Sequence, residues 1–345
     1  MADPGEVNRA VASVGVQAAP GAVPPVGAVS VPGAASTVLR AVLAGPERAA
    51  RVLGVFPAAL YLADVDSGEV VTVCTHDAVR LPNAVVLAAR TGRSPFPALT
   101  GCTDARIGGG LVGLGSLRVD AVRWWTPPRP PAPGDVRTRA HGVTTLCAAL
   151  DTAATGLPAG ARADLAELSR YAYTDPERAA GAALRLIGLG PGLTPSGDDA
   201  LCGFLLALRH LDPGAAGARH AHTLGARVAA HAPGRTTDLS AALLGHAARG
   251  DGCTQLIDLI GAMGRDTDVL PCLRRLLTVG HTSGADLALG VLAGAEAMRT
   301  GAAPAELPHP TLPHAKLPHP KLPHPKLPYP KLPYPEGRSA REQRA

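Results

Sequence analysis

Apolar residues follow two different spacings along the chain, and the change between them falls near residue 130. Beyond that point the apolar positions recur every three or four residues, a spacing typical of amphipathic helices. Gly or Pro separates most of these segments. The helical segments span residues 136–154, 160–172, 176–187, 198–210, 217–231, 236–249, 254–263, 269–279 and 284–299. This pattern predicts a mainly α-helical domain over residues 131–303.

Short runs of Val, Leu and Tyr, bounded by Gly, Pro and Asp, occupy much of the chain before residue 130. Such runs favour strands. They span residues 58–62, 69–74, 84–87 and 117–125, and a helical stretch over 37–53 precedes them. Gly108, Gly109 and Gly110 lack the helix and the GKS-type ending of a phosphate loop, so a turn between strands is expected there. We therefore expect an α+β fold, in which a small β-rich N-terminal domain (37–130) is followed by the larger helical domain.

Both ends of the chain have compositions that argue against folding. Residues 1–36 mix Pro, Gly, Ala and Val without a helical or strand period, which predicts disorder. Residues 304–345 carry a pentapeptide repeat, L-P-H-P-K with variants, whose closely spaced prolines block helix and sheet pairing and favour polyproline II. The predicted fold therefore includes disordered N- and C-terminal tails.

The net charge of +5 is concentrated in the C-terminal tail. From residue 304 onward four lysines and three arginines face three glutamates, a balance of +4, so the remainder of the chain is close to +1. Nucleic-acid binding is therefore not expected of the folded part. Every lysine lies in the tail, so a site in the folded part must take its positive charge from arginine, protonated histidine or a metal ion.

No apolar run is long enough to cross a bilayer, because Gly, Arg, Asp and Pro interrupt every candidate. The N-terminus lacks the basic start and continuous apolar segment of a secretory signal. Six cysteines are scattered without a C-x-x-C pair, which favours reduced side chains over a zinc site. We expect a soluble, cytoplasmic protein that does not contact membranes.

The richest candidate for function is the segment GLGPGLTPSGDD, residues 188–199. A glycine-rich loop that opens a helix presents unpaired N–H groups and the positive end of the helix dipole, which favour an anion. The simpler interpretation is a helix cap, with Thr194 or Ser196 as the capping residue and Pro195 at the first helical position. The loop contains more glycines, hydroxyls and acids than a cap requires. The candidate anion-binding residues here are Gly190, Gly192, Thr194, Ser196 and Gly197.

A second copy of the same pattern lies at the start of the last predicted helix. The motif S-G-x-D-x-x-x-G-x-L runs from Ser196 to Leu205 and again from Ser283 to Leu292. If the two helix starts converge, three carboxylates come close, and close carboxylates repel unless a cation or a proton lies between them. Mg²⁺ or a positively charged or protonated substrate group is the candidate occupant. This hypothesis assigns Thr282, Ser283 and Gly284 to anion binding, and Asp198, Asp199 and Asp286 to catalysis and to a metal site.

A third constellation, RTTDLS, lies at another predicted helix start, residues 235–240. Arg235 can hold a carboxylate or phosphate through two bonds, with the hydroxyls of Thr236 and Thr237 beside it. An N-cap threonine next to a surface arginine explains the same residues equally well. His281 directly precedes the second S-G-x-D copy. It is a candidate catalytic acid or base near neutral pH, with a structural bond to the loop as the alternative.

The segments GLGPGLTPSGDD, RTTDLSAALL and GHTSGADLALG resemble the AllH family, and the resemblance extends from about residue 38 to about residue 300. AllH is a subunit of oxamate carbamoyltransferase, which acts in anaerobic allantoin degradation, a branch of purine catabolism. The resemblance implies a part in the phosphorolysis of oxalurate to oxamate and carbamoyl phosphate, together with two partner subunits.

The favoured function is that of an AllH-like carbamoyltransferase subunit that binds a small anionic substrate at the glycine-rich loop. A ureido acid, carbamoyl phosphate and phosphate are the candidate ligands, and Mg²⁺ is the candidate cofactor. Carbamoyl transfer to phosphate can proceed by positioning and neutralising two anions, without a nucleophilic side chain. Two alternatives stay open. One is a noncatalytic ligand-binding or assembly subunit, and the other is a metal-dependent phosphotransferase or hydrolase that uses the aspartates.

Overall fold

Eight strands at the N-terminal end of the chain form a closed β-barrel. The computed structural model describes residues 29–150, 153–212, 214–265 and 267–301. The strands are β1 Val29–Ser36, β2 Arg48–Val55, β3 Ala59–Asp64, β4 Val70–Thr75, β5 Ala84–Leu87, β6 Ala105–Gly108, β7 Leu111–Leu114 and β8 Leu117–Trp125. Around the barrel the order is β1-β5-β4-β3-β2-β6-β7-β8, and β8 closes the circle by pairing with β1 in parallel.

The expected α+β class with a small β-rich domain is wrong, because the sheet closes on itself and leaves no free edge strand. Closure depends on β1, which pairs antiparallel with β5 and parallel with β8. The order of a β-rich part followed by a helical part is as expected. The disorder predicted for residues 1–36 is wrong for residues 29–36, which form β1. Residues 1–28 and 304–345 lie outside the described part of the chain.

The helix expected over residues 37–53 is also wrong. A 3₁₀ turn at Thr37–Leu39 and the short helix α1 at Arg40–Ala44 occupy its beginning, and β2 occupies the rest. The four runs predicted as strands are confirmed as β3, β4, β5 and β8. Gly108–Gly110 form the expected turn, which joins β6 to β7 with positive φ angles of 121°, 61° and 82°.

Aliphatic side chains from the strands fill the barrel interior. Leu62, Val73 and Val85 belong to its buried cluster. Gly33 in β1 packs against this interior, where an added Cβ would lie 2.7 Å from Val85 Cγ1 and 2.8 Å from Val119 Cγ1. A residue without a side chain fits here best, which explains why β1 lacks the Val- and Leu-rich pattern that marks the other strands.

The helices after the barrel follow the periodicity of the sequence. They are α2 Val136–Leu150, α3 Ala159–Tyr171, α4 Pro176–Leu186, α5 Ser196–Leu211, α6 Ala215–His231, α7 Asp238–Arg249, α8 Thr254–Met263, α9 Val269–Leu276 and α10 Ser283–Gly301. Each overlaps one predicted segment, so the helical part of the prediction is confirmed. None of the helices in the described part has the length and hydropathy needed to cross a membrane. The domain boundaries remain predictions.

α5 and α10 pack against each other through glycines. A Cβ on Gly203 of α5 would overlap the carbonyl oxygen of Leu287, and a Cβ on Gly290 of α10 would overlap the carbonyl oxygen of Ala200. These four residues occupy equivalent positions in the two copies of the S-G-x-D motif. The contact is therefore reciprocal, and the two helices come close enough for their backbones to touch.

The barrel packs against α7. Leu239 of α7 is buried in a cluster with Ala63 and Val70 of the barrel. Beside it, Arg51 Nη2 in β2 donates to Asp238 Oδ2 at 2.6 Å. This contact brings the loops at one side of the barrel towards α5 and α10, where the candidate site lies.

Candidate functional site

The glycine-rich loop folds back onto the helix that it precedes. Gly188, Gly190 and Gly192 have positive φ angles of 77°, 116° and 97°, a region in which other residues are strained. Gly188 N donates to Asp198 Oδ1 at 2.9 Å, and Gly197 N donates to the Leu189 carbonyl at 2.8 Å. These two bonds attach the beginning of the loop to the first turn of α5.

Most of the free N–H groups of this region lie in the loop, and one belongs to Ser196 at the start of the helix. Asp198 N and Asp199 N donate to the Pro195 carbonyl at 3.0 Å, and Gly197 N is also engaged. Within the described part of the chain, five other N–H groups donate to no protein acceptor; they belong to Gly190, Gly192, Leu193, Thr194 and Ser196. A row of free N–H groups of this kind can bind an anion.

Asp198 connects the glycine-rich loop to the start of α7 through hydrogen bonds. It is fully buried, and its carboxylate accepts hydrogen bonds from Gly188 N, from Thr236 Oγ1 and from Ser240 Oγ, the last at 2.8 Å. Burial raises the pKa of Asp198, and these bonds partly offset that increase. The carboxylate joins the loop to the start of α7, and its predicted catalytic role stays a prediction.

Ser240→Ala is expected to lower the free energy of unfolding by about 1–3 kcal/mol, because it removes one donor from a buried carboxylate. Chemical denaturation of the two proteins measures the difference. Thr144→Ala is a suitable control, since the Thr144 hydroxyl donates to the Ala140 carbonyl on an exposed helix face. An equal change in both variants would contradict the role given to Asp198.

The second motif copy meets the first at the helix starts. Thr194 Oγ1 lies 3.1 Å from Ser283 Oγ. Against the effect of burial, which raises both pKa values, the Ser283 hydroxyl lowers the pKa of Asp199, and the Ser196 hydroxyl lowers the pKa of Asp286, so each motif serine faces the aspartate of the other copy. The predicted convergence of the two helix starts is therefore present in the structure.

The two motif aspartates differ in how completely they are satisfied. Asp286 accepts bonds from Gly156 N at 3.0 and 3.2 Å in addition to its hydroxyl donors. Asp199 has no such backbone donor, and its Oδ2 is buried without a hydrogen-bond partner among the described residues. Burial raises the pKa of Asp199 well above its usual range, the Asp286 and Asp198 charges raise it further, and the Ser283 and Thr194 hydroxyls oppose this. An unsatisfied buried carboxylate oxygen is costly, so it marks a candidate ligand contact.

Asp199 borders a cavity of about 420 Å³ between the barrel and the helices. Thr194 and Ser283 line it beside Asp199, so three of the predicted site residues share one cavity. The volume falls within the range of small-molecule sites. Most other lining side chains are apolar, and they come from the barrel, from α5, α7 and α8 and from the start of α10.

The cavity contains acids but no bases. Asp77 and Asp251 line it together with Asp199, and no Lys, Arg or His does so within the described part of the chain. Hydrogen bonds from Thr75 and Thr91 lower the pKa of Asp77 to about 2. Asp251 pairs with Arg129 at 2.8 Å. Among the lining carboxylates of the described residues, Asp199 is the one with a buried oxygen that has no hydrogen-bond partner.

The RTTDLS segment supports the loop rather than the cavity. Arg235 Nη2 donates to the Leu184 carbonyl at 2.8 Å. Thr236 holds Asp198, and Thr237 caps α7 by accepting from Ser240 N at 3.1 Å. His281 is exposed and does not line the cavity. The local contacts therefore favour the structural interpretation of these residues, and an anion-binding role for them stays a prediction.

The three carboxylates proposed as metal ligands do not form a metal-binding cluster. Asp198 and Asp286 direct their oxygens to neighbouring backbone and hydroxyl groups. Within the described residues, no group of three His, Cys, Asp or Glu side chains is placed to hold a metal ion. The Mg²⁺ prediction therefore draws no support from this geometry.

Sequence comparison connects this arrangement to known proteins. Residues 186–295 match the family model of oxamate carbamoyltransferase subunit AllH. The resemblance to AllH is confirmed. The AllH match begins just before the glycine-rich loop and ends within α10, so it contains both copies of the S-G-x-D motif. It includes neither the barrel nor α2 to α4. No solved structure matches the chain.

Several cavity residues carry no signal in the sequence. Phe56, Tyr61 and Asp77 belong to the barrel, whereas Asp251 and Cys253 lie between α7 and α8. They approach the AllH-like helix starts through the packing of the barrel on α7, which no local pattern reveals. The acidic residue next to a glycine in D-G-C, residues 251–253, was the one local hint available.

Proposed function

We propose that the chain is an AllH-like subunit of a carbamoyltransferase, and that a ureido acid binds in the cavity beside the paired starts of α5 and α10. The observation that supports this most directly is Asp199 Oδ2, a buried acceptor without a partner in the described part of the chain, at the edge of a ligand-sized cavity. The family name supports a carbamoyltransferase-related role, and as a subunit name it implies other carbamoyltransferase subunits as partners.

The polar groups of the site suit the two ends of a ureido acid. Its terminal N–H groups donate to the Asp199 carboxylate, and the Thr194 and Ser283 hydroxyls bind the ureido oxygen. The free N–H groups of the loop from Gly190 to Thr194 hold the carboxylate or the incoming phosphate. Because the lining has no cation, the anionic end stays at the loop and the uncharged ureido end enters the cavity.

The proposed reaction resembles the conversion of oxalurate and phosphate to oxamate and carbamoyl phosphate. A phosphate oxygen attacks the carbamoyl carbon, the bond from that carbon to the substituted nitrogen breaks, and the proton of hydrogen phosphate moves to this nitrogen. The chain contributes orientation, since it fixes the ureido group against Asp199 while loop N–H groups hold the anions. Asp198 and Asp286 are positioning residues, because they hold the loop and the second helix start in place.

The test compares N-carbamoylglycine with N-acetylglycine, in which a methyl group replaces the terminal amine. In calorimetry with the full chain, N-carbamoylglycine is expected to bind about 10- to 100-fold more tightly than N-acetylglycine. A hydrogen bond to a charged group contributes a difference of this size. Asp199→Asn should abolish this preference. Asp258→Asn, which changes an exposed aspartate on α8, should preserve it.

Equal affinity for the two compounds in the unaltered chain would refute the proposed contact. Turnover separates the proposal from its noncatalytic alternative. Carbamoyl phosphate formation is measured with the chain assembled with its partner subunits. If the Asp199→Asn variant loses this activity, the chain takes a direct part in catalysis. Unchanged turnover in that variant would instead assign the chemistry to the partners.

A further inference from the structure

The cavity is lined mainly by apolar side chains, which do not match a ligand as polar as the one implied by the family name. Its walls include Phe56 and the loop between β4 and β5, with Val79 and Leu81, on the barrel side. On the helix side they include Leu206, Leu243 and Leu256. Oxalurate consists of carbonyl, amide and carboxylate groups and has no aliphatic carbon. Bound here, it would leave these side chains in contact with water.

The arrangement of polar and apolar groups identifies a different kind of ligand. Asp199, Thr194 and Ser283 supply hydrogen bonds at the helix starts, whereas the barrel loop and α5, α7 and α8 supply aliphatic contacts. Asp251 and Asp77, the other lining acids, are already bound to Arg129 and to Thr91. A ligand that fits all of these groups has a ureido end and an uncharged aliphatic group, in addition to the carboxylate held at the loop N–H groups.

We propose that this cavity selects N-carbamoyl compounds that carry an aliphatic substituent, such as N-carbamoyl derivatives of branched amino acids. The inference rests on the proposed function, since it assumes that the ureido group binds at Asp199. The aliphatic group packs against Val79 and Leu81, so the barrel sets substrate specificity while the AllH-like helices hold the reacting group. This gives the barrel, which lies outside the AllH match, a direct part in ligand choice.

The experiment measures affinity along a series with a constant ureido end. N-carbamoyl derivatives of glycine, alanine, valine and leucine are titrated into the full chain by calorimetry. Each buried methylene should tighten binding about fourfold, so the leucine compound should bind at least about tenfold more tightly than the glycine compound. Affinity that is flat or falls along the series overturns the inference, while the preference for N-carbamoylglycine over N-acetylglycine still upholds the proposed function.

A variant pair locates the aliphatic contact. Val79 is half-buried in the barrel loop, so Val79→Ala should leave the fold intact. It is expected to weaken the N-carbamoylleucine complex several-fold and to leave N-carbamoylglycine binding unchanged. Val38→Ala is the matched control, because Val38 is also partly buried but packs against the barrel core away from the cavity. If Val38→Ala and Val79→Ala act alike, the barrel loop does not contact the ligand.

Loss of all binding is distinguishable from these results. If no N-carbamoyl compound binds, while denaturation shows that the chain is folded, the proposed function fails together with the inference. If N-acetylleucine binds as tightly as N-carbamoylleucine, the aliphatic contact stands, but the ureido contact with Asp199 fails. Each outcome therefore tests one end of the ligand.

Discussion

Gly290→Ala is expected to lower the free energy of unfolding by about 3–5 kcal/mol, the largest stability effect that we predict for a single added methyl group. The new Cβ would overlap the carbonyl oxygen of Ala200. Backbone cannot rotate away as a flexible side chain can, so α5 and α10 must separate. Their separation would also pull apart the two helix starts and open the bond between Thr194 and Ser283. Urea denaturation and ligand calorimetry on the same variant measure both effects.

Gly160→Ala provides the matched control. Gly160 lies in α3, is exposed, and has no atoms within 4 Å of the position that a Cβ would take. The same substitution there should stabilise the chain by about 0.5–1 kcal/mol, since alanine loses less backbone entropy than glycine in a helix. If Gly290→Ala were as well tolerated as Gly160→Ala, the backbone contact between α5 and α10 would be refuted.

Asp199→Asn is expected to stabilise the ligand-free chain at pH 8 and to have less effect at pH 4. The buried Oδ2 has no donor among the described residues, and an unsatisfied charged group costs on the order of 1–3 kcal/mol. Asparagine occupies nearly the same volume without a charge, and it also removes the repulsion from Asp198 and Asp286. Function and stability therefore oppose each other at this residue, as is common in binding sites.

The direction of the pH effect follows from the raised pKa. Burial raises the pKa of Asp199 in the folded chain, whereas the unfolded chain has the ordinary carboxyl value. Between these two values the folded state binds more protons than the unfolded state, so the free energy of unfolding falls as pH increases. Asp198 and Asp286 also have raised pKa values and act in the same direction. The free energy of unfolding should change less with pH in Asp199→Asn than in the parent chain, and Asp258→Asn should not show this difference.

Denaturation midpoints at several pH values between 4 and 8 measure this slope. An Asp199→Asn variant that is less stable than the parent chain at every pH would show that Asp199 is satisfied in the folded state. The candidate ligand contact would then lose its main support.

The helical half of the molecule could be predicted from the sequence because its signals are local. Apolar spacing located the nine long helices of the described residues, and the repeated S-G-x-D motif indicated two helix starts that meet. The glycines of that motif supported the prediction, because Gly203 and Gly290 allow α5 and α10 to come into close contact.

The barrel and the cavity depended on contacts that no local pattern encodes. β1 contains Pro32 and Gly33, which argue against a strand, yet it closes the barrel because β5 and β8 both offer it partners. The cavity forms where the barrel rests on α7, so Phe56 and Val79 could not be linked to Asp199 beforehand. Which of the two motif aspartates keeps an oxygen without a partner also depended on distant donors, such as Gly156 N for Asp286.

The reciprocal pairing of α5 with α10 has the geometry of two identical chains related by a twofold axis. In a true symmetric dimer, every substitution falls on both sides at once, so the two aspartates would have to remain alike. Joining both halves in one polypeptide removes that constraint. The aspartate of one copy can keep all of its hydrogen bonds and hold the two helix starts together. The aspartate of the other copy can lack a partner and bind a ligand.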